Sequence, residues 1–341
     1  MSELLEDYDE AALAAFPPDG PRATFLHARM IERLAQSVQE IVRGCSAHLQ
    51  FEEGVARLSQ RIRVACRVAP ELYCVYFDLL QAVRRDDLDA CARLLAEMES
   101  RLDAPLPSFY RRWGALPEST ARRYLTYMNV DPTSQINFKA LSASEFDNIH
   151  RIADDAFAVF ERVAPEIGSE IRSLLTEIVF VSSAPNESLG FDAATSFFCW
   201  GALFLNADAY RGLVKMIVGL SHEIAHAYLF GLSLGNSFVD NPDDELHPSP
   251  LRPDPRPLDG TFHATVVSAR IYYALDQVIA SGALSKSERN EARKALAASR
   301  AAFSDGFKTV NDYALLTALG RRVMDATRSY MTAQAGIQLS Q

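Results

Sequence analysis

Residues 221–226, with the sequence SHEIAH, place two histidines four positions apart and a glutamate directly after the first. Apolar residues recur with helical spacing through the surrounding segment, which predicts a helix. On that helix His222 and His226 project from one face and can bind one metal ion through their imidazoles. Glu223 lies about 100° around the helix from His222, so its carboxylate is predicted beside the ion without being a ligand.

A catalytic metal site of this kind needs a third protein ligand. Leu229 and Leu232 occupy the Gly and His positions of the longer HExxHxxGxxH motif, which excludes that arrangement. The remaining candidates are His247, the acidic residues between 240 and 245, Asp259 and His263. We favour His263, because Asp259 resembles the N-cap of a long helix and His263 then falls in its first turn. His247 stands among prolines, where an exposed loop histidine is the ordinary interpretation.

Arg270 follows His263 by seven residues, or two helical turns, so both side chains point the same way. Its apolar neighbours predict partial burial, and a buried guanidinium requires an anion. One interpretation is a structural ion pair with an internal carboxylate. The other is a clamp that holds the carboxylate of a ligand bidentately.

The composition is that of a globular protein with one large or two smaller domains. The chain has 341 residues, of which 48% are hydrophobic and 23% are charged, and this excludes wholesale disorder. Its 34 Lys and Arg against 44 Asp and Glu give a net charge of −10, so no nucleic-acid partner is expected. Five cysteines lack CxxC spacing, and most are expected to be buried free thiols.

The N-terminal segment lacks the basic and apolar regions of a signal peptide. No apolar run reaches the roughly 20 residues that a membrane span needs. The sequence therefore predicts a cytoplasmic protein with no membrane association.

The periodicity predicts a mainly α (α+β) protein with a helical N-terminal half and a zincin-like metal domain of helices and a small sheet. We place the boundary at a Pro132–Gln135 linker, giving a helical domain of residues 1–131 and a metal-binding catalytic domain of residues 132–341. The predicted strands are Glu177–Ser183 and Ser196–Asn206. The later helices are predicted near residues 209–231, 260–281, 286–303 and 311–333, with an irregular stretch over residues 236–258.

The strand before the metal helix has two interpretations. In zincin-like folds an edge strand in this position pairs with an extended peptide substrate, and Thr195–Leu205 has the right place in the chain. The alternative is an ordinary core strand in which Phe197, Phe198 and Trp200 serve packing.

Three segments together resemble the HExxH-motif domain family that is associated with ribosomally synthesised, modified peptides. They are WGALFLN (Trp200–Asn206), LSHEIAHAYLF (Leu220–Phe230) and RPLDGTFHATVVSARIYYAL (Arg256–Leu275), and the resemblance covers residues 144–331. It implies an oxygenase dependent on iron(II) and 2-oxoglutarate that uses O2 to hydroxylate a β-carbon in a precursor peptide. The resemblance also implies a scaffold unlike the double-stranded β-helix usual for such enzymes.

Carried onto this sequence, the resemblance implies His222, His226 and His263 as iron ligands, with Trp200 and Asn206 near the substrate. To this we add Arg270 as the clamp for 2-oxoglutarate and aromatic residues near Trp200 as a shield against water. The helical N-terminal domain is predicted to recognise the precursor peptide.

Two other functions compete with this prediction. A zinc metallopeptidase would use Glu223 as the general base on a zinc-bound water. A structural zinc would need four closed ligands, and no further Cys or His has suitable spacing, so this is the weakest interpretation.

Overall fold

The computed structural model describes residues 8–46, 48–129, 136–183 and 192–337. These residues are mainly helical with small β-sheets, which confirms the predicted fold class. They divide into two compact units. The first unit comprises Met1–Phe25, Arg151–Arg172 and Tyr210–Gln341, and the second comprises Leu26–His150 and Ser173–Ala209.

The helices of the described residues are, in chain order, α1 Glu10–Leu13, α2 Gly20–Val42, α3 His48–Val64, α4 Glu71–Arg84, α5 Leu88–Asp103, α6 Glu118–Met128, α7 Ala143–Val163, α8 Pro165–Leu174, α9 Leu213–Ser233, α10 Leu258–Ala280, α11 Lys286–Tyr313 and α12 Ala318–Ala335. The strands are β1 Tyr110–Arg112, β2 Phe138–Lys139, β3 Glu177–Ser183, β4 Ala193–Thr195, β5 Ala202–Asn206, β6 Leu246–Ser249 and β7 Arg252–Pro257. Across these described ranges, no helix has the length and apolar character needed to cross a membrane.

The sheet of the second unit has the strand order β1-β3-β5-β4, and β2 pairs with the end of β3. Strands β1 and β5 run parallel to β3, whereas β4 is antiparallel to β5. All five residues of β5 are buried. Of the two interpretations of Thr195–Leu205, the edge strand is therefore wrong and the core strand is confirmed, because β5 is paired on both sides and fully buried.

The second predicted strand is also shorter than expected. The Oγ of Ser196 accepts a hydrogen bond from the backbone N–H of Phe198 at 3.2 Å, and this starts a 3-10 turn over Phe197–Cys199. The strand then begins only at Ala202. The first predicted strand, β3, agrees with its prediction at both ends.

The predicted boundary near residue 131 does not separate these two units. Strand β1 pairs in register with Ile178–Phe180 of β3, so chain segments from both sides of residue 131 form one sheet. The Pro132–Gln135 linker lies outside the described residues. The recognition and catalytic roles assigned to the two halves stay predictions.

In the first unit, α10 packs against both α9 and α11. The stretch predicted to be irregular contains the antiparallel pair β6–β7, in which Leu246 is opposite Pro257. Local composition missed this pair because its prolines argue against a strand, although they are tolerated on a strand edge. Helix α11 also continues ten residues beyond its predicted end, without the expected break.

All five cysteines lie in the second unit. Cys45, Cys74, Cys91 and Cys199 are buried and Cys66 is exposed, so the expectation of mostly buried free thiols is confirmed. The Sγ atoms of Cys74 and Cys199 are 3.3 Å apart.

We expect Gly306→Ala to destabilise the protein by about 1–3 kcal/mol, because overpacking forces neighbours to move. A methyl group at this position of α11 would overlap Thr265 Oγ1 and lie 2.9 Å from Pro250 Cγ. Thr265 cannot retreat easily, since it is fully buried and its hydroxyl donates to Thr261 O at 2.7 Å. Urea denaturation measures the change in the free energy of unfolding.

The matched control is Gly54→Ala in α3, where a Cβ meets no atom within 4 Å. This substitution is expected to stabilise the protein by about 0.5–1 kcal/mol through helix propensity. Equal effects of the two substitutions would contradict the packing described for Gly306.

Candidate metal site

Helices α9 and α10 position the candidate ligands within the first unit. The HExxH motif lies in the second half of α9, and His263 lies in the second turn of α10, which begins at Leu258. Because the two helices pack together, the imidazole of His263 meets that of His226. The three predicted histidines therefore lie next to one another, linked through His226, while their role as metal ligands stays a prediction.

One of the two distances between imidazole nitrogens agrees with a shared metal ion. His222 Nε2 and His226 Nε2 are 3.2 Å apart, and His226 Nδ1 and His263 Nδ1 are 3.3 Å apart. Two imidazole ligands of one ion, each bonded at 2.0–2.1 Å, have their nitrogens about 2.8–3.4 Å apart in octahedral or tetrahedral geometry. The separation between His222 and His226 therefore matches that of two ligands to a common ion.

The imidazole of His263 contacts a different nitrogen of His226 from the one that His222 contacts. His226 faces His222 through Nε2 and His263 through Nδ1, which lie on different edges of its ring. Within the described ranges, no three His, Cys, Asp or Glu side chains are grouped so that they could hold an ion as placed. A site with all three histidines therefore requires a rearrangement of these side chains.

The surroundings favour neutral imidazoles. Burial holds the pKa of His226 well below its usual value, and the neighbouring His222 and His263 lower it further. Burial also lowers the pKa of His263, against the opposing influence of Asp259. Neutral imidazole is the form that ligates metals. The His222 side chain is 31% exposed, so the cluster is open to solvent at this residue.

Aromatic side chains line the buried side of the cluster. The Phe230 ring stacks with that of His226 at 6.3 Å between centroids and lies 5.6 Å from that of His263. The Phe238 ring lies 5.5 Å from that of His263. Sequence reasoning missed both. Phe230 could have been predicted, because it follows His226 by one helical turn and lies on the same helix face. No nearby residue pattern indicates that Phe238 lies at the cluster.

Glu223 is buried next to the first histidine of the motif. Its Oε1 is 3.8 Å from His222 Nε2, and its side chain is 5% exposed. This position beside the cluster suits a group that orients a ligand or accepts a proton from bound water.

The expected N-cap role of Asp259 is wrong, because α10 begins at Leu258, two residues before the start that an Asp259 cap implies, and its N-cap is Pro257. Instead Asp259 Oδ1 accepts hydrogen bonds from Ser237 Oγ at 2.7 Å and from the backbone N–H of Phe238 at 3.0 Å. Its Oδ2 is 3.8 Å from His263 Nε2. Asp259 therefore fixes the segment that carries Phe238 against His263.

The other histidine candidate, His247, is engaged elsewhere. His247 lies on β6 rather than in an exposed loop, with its Nε2 2.9 Å from Glu245 Oε1. Its ring also packs against that of Tyr313, with the centroids 4.7 Å apart. Of the histidine candidates, His263 is the one that contacts the motif.

Arg270 is buried and makes the structural ion pair that was one of its two interpretations. Its Nη2 donates to Glu170 Oε2 at 3.2 Å, and its guanidinium lies 4.7 Å from the centroid of the Tyr228 ring. Arg22 approaches the same carboxylate oxygen at 4.0 Å. Within the described part of the chain, Nε and Nη1 of Arg270, Nε of Arg22 and Glu170 Oε1 have no hydrogen-bond partner.

Trp200 and Asn206 lie in the second unit, and both are buried there. Asn206 Oδ1 accepts a hydrogen bond from the backbone N–H of Asp208 at 3.0 Å. The role of both residues in substrate binding stays a prediction.

Comparisons of the sequence with family models and with curated proteins find no match.

Proposed function

We propose that this protein is an iron(II)- and 2-oxoglutarate-dependent oxygenase that hydroxylates a β-carbon in a ribosomally made precursor peptide, in the cytoplasm. The observation that carries the proposal is the contact of His226 with both His222 and His263, which brings together imidazoles from two packed helices. The resemblance of the motif segments to a family of peptide-modifying proteins supports the choice of reaction.

The donor set fits iron(II). Imidazole is a suitable ligand for iron, and three protein ligands leave positions for a bidentate co-substrate and for oxygen. When bound, iron(II) with 2-oxoglutarate and O2 would supply the oxidant that removes a hydrogen atom from the substrate. A set of three histidines differs from the common two-histidine, one-carboxylate set, and Asp259 is the carboxylate nearest to His263 that could take part.

The chain's own residues have distinct roles in this proposal. Glu223 orients His222 or a water molecule, since its carboxylate lies 3.8 Å from that imidazole. Phe230 and Phe238 exclude water from the buried side of the cluster and so protect a reactive intermediate from solvent.

Arg270 is proposed to hold a carboxylate of 2-oxoglutarate. It is on the same helix as His263. The N–H groups at its Nε and Nη1 make no hydrogen bond to any described residue. A guanidinium already anchored by Glu170 is fixed in orientation, which lowers the entropic cost of binding a second carboxylate.

Zinc-dependent peptide hydrolysis is the alternative, and the position of Glu223 favours it. A buried carboxylate beside His222 is placed to accept a proton from a zinc-bound water, whose pKa the metal lowers to about 7.

The deciding experiment measures succinate. Purified full-length protein, stripped of metal and reloaded with iron(II), is incubated with ascorbate, 2-oxoglutarate and O2, with and without candidate precursor peptides. Iron-dependent succinate formation, with a peptide mass gain of one oxygen atom, is the expected result. Zinc-dependent peptide cleavage without succinate would instead establish the peptidase.

A further inference from the structure

The second unit contains a groove of about 400 Å³ between strand β1 and the first two turns of α7. Tyr110, Arg111 and Arg112 form one wall. Ala143, Phe146 and Asp147 contribute to the other. The groove is thus bounded by a strand and a helix, the geometry in which peptide-binding domains add a strand to a sheet.

The groove follows the edge of the sheet. Successive side chains of a strand point to opposite faces, so a cavity lined by three consecutive residues lies alongside the strand. Among the strands that the structure describes, β1 pairs only with β3. The backbone N–H of Ile178 donates to Phe109 O at 2.6 Å, and in a parallel ladder this directs the N–H groups of Tyr110 and Arg112 away from β3.

The aromatic part of the groove is held rigidly. The Tyr110 ring contacts His150 and Phe180, with centroids 4.3 and 5.7 Å away. The Phe146 ring contacts the same two residues at 5.7 and 5.9 Å. Such packing fixes the apolar surface before any ligand arrives, which reduces the cost of binding.

Three charged side chains line the groove, and they differ in whether they are paired within the protein. Arg111 Nη1 donates to the buried carboxylate of Glu177 at 2.7 Å, so its charge is neutralised within the protein. Arg112 forms no ion pair or side-chain hydrogen bond with any described residue, and it lines the groove. Asp147 is exposed on the opposite wall. The groove thus presents a cation on the strand side and an anion on the helix side.

We propose that this groove binds an extended peptide segment, which adds as a strand to the outer edge of β1. The peptide carries an acidic side chain that pairs with Arg112 and a basic or amide side chain that faces Asp147. Its apolar side chains contact Tyr110 and Phe146. Binding here requires no metal, so the inference stands apart from the proposed oxygenase activity.

The test uses a displayed library of random twelve-residue peptides and the full-length, metal-free protein. Peptides enriched on the wild type are synthesised with a fluorophore, and their affinities are measured by fluorescence anisotropy. We expect the enriched sequences to contain Asp or Glu. Arg112→Glu is expected to weaken their binding on the order of tenfold. A peptide whose acid is replaced by lysine is expected to regain affinity for that variant.

A second variant, Ala143→Trp, fills the groove from an exposed position at the start of α7 and is expected to abolish binding. Its matched control is Ser144→Trp, at the adjacent exposed residue outside the groove lining, which is expected to bind as the wild type does. Bound peptide is also expected to slow amide exchange over residues 108–112. Failure to enrich any peptide, or equal binding to Ala143→Trp and wild type, would overturn the proposal.

Discussion

His226→Ala is expected to bind iron(II) or zinc more weakly than the wild type by a factor on the order of 10²–10³. His226 is the imidazole that contacts both His222 and His263, so its removal separates the other two candidate ligands. Zinc sites with four ligands bind with about 10–16 kcal/mol, which corresponds to roughly 3–4 kcal/mol for each ligand. Competition with a chromogenic chelator measures the affinity, and elemental analysis gives the metal content.

The control for this variant is His247→Ala. His247 is paired with Glu245 on the β6–β7 hairpin, so its removal is expected to leave metal affinity unchanged. Circular dichroism checks that both variants remain folded. If His226→Ala retains wild-type affinity, the histidine cluster is not the metal site.

Glu170→Gln is expected to lower the free energy of unfolding by about 3–5 kcal/mol, because it removes the carboxylate from a buried charge cluster. The Arg22, Glu170 and Arg270 side chains are each at most 3% exposed. Without the carboxylate, the two buried guanidiniums would have no acidic partner in direct contact among the residues that the structure describes. Urea denaturation of metal-free protein measures the effect.

Glu161→Gln is the matched control. Its partner is Arg172, and both side chains are more than half exposed, so the loss is expected to be about 0–1 kcal/mol. A loss below about 1 kcal/mol for Glu170→Gln would show that solvent reaches the cluster and stabilises the guanidiniums.

Local signals predicted the elements that local interactions determine. In the α4–α5 hairpin, Asp87 Oδ1 caps α5 by accepting from the N–H of Ala90 at 3.0 Å. Helix α7 is capped by Ser142, whose Oγ accepts from the N–H of Glu145 at 3.2 Å. In both cases the capping residue lies three positions before its donor, within reach of a sequence pattern.

Elements that depend on distant pairing were not predictable in this way. Strand β1 has only three residues and exists because it pairs with β3, more than sixty residues later in the chain. The β6–β7 hairpin is a second example. Its prolines suggest irregular structure, but the pairing of the two strands forms a hairpin nevertheless.

The candidate site shows the same contrast. The spacing of His222 and His226 on one helix face is a local property, and His263 followed from the start of the next predicted helix. The partner of Arg270 is one hundred residues away, so the sequence predicted the need for an anion but could not identify Glu170. The ring nitrogens that meet in the cluster depend on side-chain rotation, which no sequence pattern encodes.

The distribution of cysteines provides a way to follow the two units separately. Every thiol is in the second unit, where Cys66 alone is exposed, so an alkylating reagent should modify that residue at once. The other four can react only when their surroundings open, and their modification rates therefore report local unfolding of that unit alone. If the two units unfold independently, Glu170→Gln should lower the global transition measured in urea and leave those four alkylation rates unchanged.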